Sequence, residues 1–286
     1  MLPGFIGSSP QGRVAATDQY VQNMIGGARF ILVAIHHAAE TGYNLAAADY
    51  ERVRPSYPTR ALAVLADALD LKPGERVADL GAGTGKFTRL LALTGAQVVA
   101  VEPVAAMRTR LTEILPQVAT VDGVAEATGL PNASVDAVVA AQAWHWFDGP
   151  AALAEIERIT GPRGRLGLVW NTLDVSVPWV AEYSRVYSAW RTSELPVHTD
   201  GAWRTAFDKL RGWRPLNSAH VPNPYVTDRD GVLGQALTSS YISTLDEESR
   251  AEVRRELIAI LDRFPDTRGD RIEIPYVTDV YWTAKR

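Results

Sequence analysis

Val77-Ala78-Asp79-Leu80-Gly81-Ala82-Gly83-Thr84-Gly85-Lys86-Phe87-Thr88 reads as a buried strand, a glycine turn and the opening of a helix. Residues 76–80 form a short, mostly apolar run, the pattern of a parallel strand covered on both faces. Gly81, Gly83 and Gly85 permit sharp turns and leave no side chain between the backbone and a ligand. From Lys86 onward Phe87, Leu90, Leu91 and Leu93 fall near helical spacing. A small molecule over the glycines would then meet free N–H groups at a helix N-terminus.

The spacing of the glycines bears on which molecule. The dinucleotide fingerprint is G-x-G-x-x-G, whereas here the third glycine comes one residue early. Asp79, two positions before the first glycine, would repel a pyrophosphate and suits an ammonium. S-adenosylmethionine carries an ammonium and no phosphate. Glu102 ends the second apolar run, roughly 20 residues on, where a carboxylate binds ribose hydroxyls. It serves either adenosine cofactor, so Asp79 and the glycine spacing make the choice.

The segment from Asp79 to Gly85 resembles motif I of the class I S-adenosylmethionine-dependent methyltransferases. Tyr50-Glu51-Arg52-Val53-Arg54-Pro55-Ser56-Tyr57-Pro58, Val101-Glu102-Pro103, Ala143-Trp144-His145-Trp146-Phe147-Asp148, Val169-Trp170-Asn171 and Pro275-Tyr276-Val277-Thr278 are similar to the type-11 methyltransferase group. Within it they resemble the trans-aconitate methyltransferase-like branch. The resemblance implies an α/β fold: a Rossmann-like, seven-stranded, mostly parallel sheet with an antiparallel C-terminal strand and helices on both faces. It implies a methyltransferase domain over residues 46–286, with a helical and loop cap within about 172–265. Residues 1–45 are read as a tail and a helix, the helix being either packed on the domain or a lid or dimer element.

The same resemblance assigns roles. Asp79 holds the methionine end of S-adenosylmethionine, and Gly81, Ala82, Gly83 and Gly85 line it. Tyr57 lies beside that end, and Glu102, with Pro103 after it, takes the ribose. Met107, Val124 and Ala125 lie near adenine, and Gln142 completes the cofactor set. Many relatives carry an acid where this chain has Val124, so the adenine contact falls to the Ala125 N–H. Trp144, His145 and Trp146 shape the methyl-transfer side and are the catalytic candidates. Substrate candidates are Arg52 and Arg54, whose guanidinium groups suit a carboxylate, and Asn171 and Trp179. His145 is either a packed, backbone-bonded residue or a general base or substrate hydrogen-bond partner. Glu126 is read as structural or solvent-facing, and Asp136 as structural.

Composition sets limits. The 286 residues carry a formal charge of −4, so no basic footprint for nucleic acid is present. The loop at residues 142–148 lacks the Asp/Asn-Pro-Pro-aromatic segment of base amino-methylation, which argues against a flipped base as substrate. Without cysteine there is no disulfide, thiolate metal site or cysteine nucleophile, and with five histidines and no H-E-x-x-H a metal is not expected. No stretch approaches the roughly 20 apolar residues of a membrane span, and a cytoplasmic protein is expected. The expected partner is a small-molecule substrate, the oligomeric state, monomer or homodimer, being open. The expected activity is methyl transfer from S-adenosylmethionine to a small acceptor, possibly a carboxylate. The alternatives are a non-catalytic S-adenosylmethionine-binding protein and a nicotinamide-dependent oxidoreductase.

Overall fold

A computed structural model describes residues 54–190, 198–208, 210–239 and 242–286. The expectations for residues 1–45 and for Arg52 lie outside them.

Apolar runs too short for helices become the central strands. β1 (Arg76–Leu80), β2 (Gln97–Val101), β3 (Ala119–Val121), β4 (Ala137–Ala141) and β5 (Arg165–Leu173) are parallel neighbours. β6 (Asn217–Pro222) and β9 (Tyr276–Ala284) complete a seven-stranded sheet of order β3-β2-β1-β4-β5-β9-β6, with β9 antiparallel to both neighbours. Strand order reverses between β1 and β4, so their C-terminal ends open a crevice of the kind that receives ligands in α/β folds. At the opposite end Asp136 accepts from the Arg76 N–H at 2.9 Å and pairs with its guanidinium, the structural role expected of it.

Strand side chains alternate between faces. Val77, Val139 and Val169 pack against α1 (Thr59–Ala68) and α2 (Thr88–Ala92) through Leu62, Leu65, Phe87 and Leu91. α3 (Ala105–Ile114) covers Ala100 with Leu111. Ala78, Leu80, Val138, Leu166 and Leu168 pack on the other face against Leu153, Ile156 and Ile159 of α4 (Gly149–Thr160). Trp203 and the short α6 (Thr205–Asp208) extend that layer.

A further apolar core is built by α5 (Pro178–Ala189), β7 (Tyr225–Thr227), α7 (Arg229–Leu237), α8 (Glu247–Arg263) and β8 (Ile272–Ile274). Asp228 and Asp246 cap α7 and α8, accepting from the N–H groups of Gly231 at 2.7 Å and Ser249 at 2.8 Å. This is the cap.

The stretch 272–284 forms two strands, because Pro275 has no N–H to continue the ladder and Ile272 and Ile274 turn into the cap core. α7 ends at Leu237, where the Thr238 hydroxyl bonds back to the Gly234 carbonyl at 2.7 Å. One boundary differs from the sequence reading. The helix after the glycines begins only at Thr88 and ends at Ala92, leaving Leu93 exposed.

Candidate active site

The glycine turn follows from its backbone angles. Gly81 and Gly83 have φ of 66° and 57°, a region costly for other residues. At Gly81 a Cβ would also lie 2.7 Å from the Ala143 Cβ, so the loop after β4 packs directly on the turn. At Gly83 a Cβ would meet nothing within 4 Å: the backbone there borders open space.

The expectation of free N–H groups is corrected at Gly81, Ala82, Gly83 and Gly85. Gly81 and Ala82 both donate to the Val101 carbonyl, at 2.9 and 3.2 Å, and Gly85 donates to Ala82 at 3.0 Å. Gly83 donates to Glu102 Oε2 at 2.8 Å. The helical hydrogen bonding still begins at the last glycine, where the Gly85 carbonyl accepts from the Arg89 N–H at 3.0 Å. The turn is therefore a poor anion cradle.

What it offers is carboxylate. Asp79 is buried on the face of β1 that meets α2, and its Oδ2 accepts from the Thr88 hydroxyl at 2.6 Å. Its Oδ1 has no partner among the described residues. Burial pushes its pKa up to about 7; the Thr88 bond opposes this and the charge of Glu102 adds to it. Burial likewise raises Glu102, against hydrogen bonds from the Val104 and Gly83 N–H groups. Arg108 straps this corner, donating to the carbonyls of Glu102 and Pro103 at 2.6 and 3.0 Å and to Asp122 at 2.9 Å.

Met107 and Ala125 are buried beyond β2 and β3, with Val124 half-buried. Their loop is anchored by a residue the sequence reading missed. Glu155 of α4 accepts from both the N–H and the hydroxyl of Thr128, at 2.8 and 2.6 Å, and from Arg158. Glu126, read as structural or solvent-facing, accepts from the Asp148 N–H at 2.7 Å and ties the same loop to the turn after β4.

That turn begins at Gln142, a non-glycine residue with φ of 55°, a strain of about 1 kcal/mol or more. Its side chain donates to the Asn171 carbonyl at 2.9 Å. Trp144–Trp146 then form a 3-10 turn. Trp144 is fully buried between Phe147 and Phe207 and is largely a core residue. Trp146 is partly buried beside the His145 ring. Burial, and after it the neighbouring His198, push the His145 pKa down to about 3. Its Nδ1 accepts from the Trp170 indole N–H at 3.2 Å. His145, Phe147, Trp203, Thr205 and Asp200 line a cavity of about 230 Å³. Phe147 also reaches the Gly81 position, so the cavity and the glycine turn share a wall.

The substrate candidates separate. Trp179 is seated in the cap core against Tyr183, only 2% exposed, which removes it from any substrate surface. Asn171 is buried with its amide engaged: it donates to the Ser56 carbonyl at 3.2 Å and accepts from Thr278 and Asn223, at 2.6 and 3.1 Å. It therefore holds the 55–57 loop rather than presenting an amide to substrate. Tyr57 of that loop packs edge-on against Phe87 at 4.9 Å. Arg54 is partly buried there, and Lys86 donates to its carbonyl at 2.6 Å. Among the described residues no cluster of three or more acids and histidines could hold a metal, and no helix is long and apolar enough to cross a membrane.

Comparison with known proteins agrees with this geometry. Residues 78–168 match a methyltransferase domain family. An uncharacterized methyltransferase of Schizosaccharomyces pombe is 38% identical over 240 residues, covering 83% of this chain and 94% of the relative. An uncharacterized methyltransferase of Mycobacterium bovis is 49% identical over 137 residues, 48% of this chain and 55% of the relative, so the match spans about half the length of that protein. A solved structure from Anaeromyxobacter dehalogenans, assigned as a type II methyltransferase, is 26% identical with a TM-score of 0.56, covering 81% of this chain and 97% of its own. The chain belongs to the methyltransferase domain family, with the class I fold of S-adenosylmethionine-dependent enzymes.

Proposed function

We propose that this chain transfers a methyl group from S-adenosylmethionine to a carboxylate of a small-molecule acceptor. The observation that carries the cofactor half is Asp79, a buried carboxylate with one unpartnered oxygen, beneath a turn in which the N–H groups of Gly81, Ala82, Gly83 and Gly85 already have acceptors. Such a site fits a ligand with an ammonium and hydroxyls and resists a pyrophosphate. Asp79 would hold the ammonium, Glu102 the ribose hydroxyls, and Met107, Val124 and Ala125 the adenine side. Tyr57, Pro103 and Gln142 would border the same ligand. When bound, the cofactor supplies an electrophilic methyl group on a sulfonium.

The acceptor half is supported by what the site lacks. A hydroxyl or ammonium acceptor must give up a proton; a carboxylate has none to lose. With its pKa held near 3, His145 is a weak base at neutral pH. Likeness to the trans-aconitate methyltransferase-like branch adds small polycarboxylic acids as first acceptors to try, with Arg52 and Arg54 as their clamps.

Calorimetric titration with S-adenosylmethionine, S-adenosylhomocysteine and NADH tests the cofactor. Micromolar binding of the first two and none of NADH is expected; NADH binding alone would sink the assignment. Gly83→Ala sharpens the test. A Cβ there has room but a positive φ, so denaturant unfolding should show a loss of only about 1–2 kcal/mol. Calorimetry should show cofactor binding weakened by at least about tenfold, because the methyl enters the space the ligand needs. Unchanged affinity would place the ligand elsewhere.

A further inference from the structure

We infer that Trp170 fixes His145 as a hydrogen-bond donor in the site: its indole N–H occupies Nδ1, and the ring presents Nε2–H to the acceptor. The argument starts from donor chemistry. Indole nitrogen only donates. The 3.2 Å contact therefore requires a lone pair on His145 Nδ1, which leaves the proton of the neutral ring on Nε2. The other tautomer would set two N–H groups head to head.

Trp170 has little freedom to release this contact. Its fully buried ring stacks on His198 at 5.3 Å and 11°, and packs on Trp203 at 4.8 Å and edge-on to Tyr281 at 5.8 Å. The stack is oriented in turn. The Thr172 hydroxyl donates to Asp279 Oδ2 at 2.8 Å, so its oxygen can only accept from His198 Nε2 at 2.9 Å. Asp279 reaches His220 with its other oxygen at 2.6 Å.

A base histidine has an acceptor behind it: a carboxylate takes the Nδ1–H and stabilises the cation. Here the group behind the ring donates, the reverse polarity. The charged and titratable groups on the surrounding elements are His198 and Asp200, Arg204 over Trp203 and Tyr281, and Asp279 and His220 beyond Thr172. None of them hydrogen-bonds to His145, and its Nε2–H has no partner among the described residues. The Nδ1 edge faces the buried Trp170, so Nε2, across the ring, is the nitrogen left for the cavity that His145 lines. It can give a hydrogen bond to an acceptor oxygen but receives no proton there. Only the identity of what receives that bond rests on the methyltransferase reading; the tautomer does not.

Long-range proton–nitrogen NMR of the full chain, labelled at histidine, reads the tautomer directly. The His145 signals are identified by their loss in His145→Gln. We expect the Nε2–H form with no titration between pH 5 and 9. An Nδ1–H form, or titration near pH 6.5, would overturn the inference whatever the activity. Trp170→Phe should release the lock, giving mixed tautomers; an unchanged Nε2–H form would remove Trp170 from the role. Should that variant fail to fold, the wild-type spectrum still decides. With citrate as the carboxylate probe, His145→Ala is expected to lower methyl transfer by about tenfold or more through the acceptor KM, with His145→Gln retaining most of it. Equal activity of His145→Ala and wild type would end the donor role. Absence of any methyl transfer, with the Nε2–H form intact, would count against the acceptor reading alone.

Discussion

S-adenosylmethionine binds Asp79→Asn about 100-fold or more weakly than wild type, and the variant loses the pH dependence of binding. Removing one partner of a buried ion pair costs roughly 3–5 kcal/mol, and each 1.4 kcal/mol is about tenfold in affinity. The pH dependence has a definite sign. In the free protein the Asp79 pKa stands at about 7, so the carboxyl is protonated through the acid range. An ammonium selects the ionised form. Affinity therefore rises as pH approaches 7, by about tenfold per unit, and levels above it. The ligand's own α-ammonium, titrating near pH 8, sets the upper edge of the window. Calorimetry from pH 5.5 to 8 in wild type and Asp79→Asn reads both effects. A flat wild-type profile would place the ammonium elsewhere.

The same carboxyl makes the opposite contribution to stability. A folded-state pKa raised above the unfolded value means the native state holds a proton the unfolded chain has lost. Its contribution is fully present below about pH 4 and declines as pH rises to about 7. The loss is on the order of 4 kcal/mol at most. Denaturant unfolding of wild type should show this slope, and Asp79→Asn should lack it. Asp79 is thus a site where binding is gained at the expense of the fold.

The second large effect is in a residue that touches no ligand. Glu155→Ala leaves the Thr128 N–H and hydroxyl without their acceptor, while Arg158 keeps Asn132 and the Leu130 carbonyl. Leaving a buried donor unsatisfied costs about 1–3 kcal/mol, and two are left here. Denaturant unfolding of Glu155→Ala should show that loss, and Glu113→Ala should stay within about 0.5 kcal/mol, since its partner Arg110 is a surface i,i+3 contact. A loss below about 1 kcal/mol for Glu155→Ala would mean that the Thr128 loop is held by other contacts.

What was legible in the sequence was local in the chain. The strand, the glycines, Asp79 and Glu102 follow one another within 26 residues, and the strand and the turn were legible from their pattern alone. The antiparallel last strand followed from resemblance in the same way. The polar wiring was not legible, because its partners are far apart. Trp170 and His145 are 25 residues apart, Thr128 and Glu155 27, and Asn171 reaches Ser56 across 115. Asn171 and Trp179 sat beside plausible site segments, and only packing could show one tying loops together and the other filling a core. The free N–H groups failed for a related reason: the Val101 carbonyl that consumes two of them belongs to another strand.

The cap has an architectural consequence. β6 and β9 are ladder partners, with Pro222 opposite Val277, yet 54 residues separate those positions. The cap's second part is thus an expanded hairpin turn whose two ends are already side by side. Lengthening or replacing such a segment changes the chain-closure entropy only slowly with its length. The Arg108 strap and the glycine turn lie at the other end of the strand order and need not change with it. A transplant, however, would have to carry α5 along, because Trp179, Tyr183 and Val186 complete that core from outside the hairpin. The fold thereby leaves both the glycine turn and the cavity at His145 and Trp203 outside the exchangeable segment.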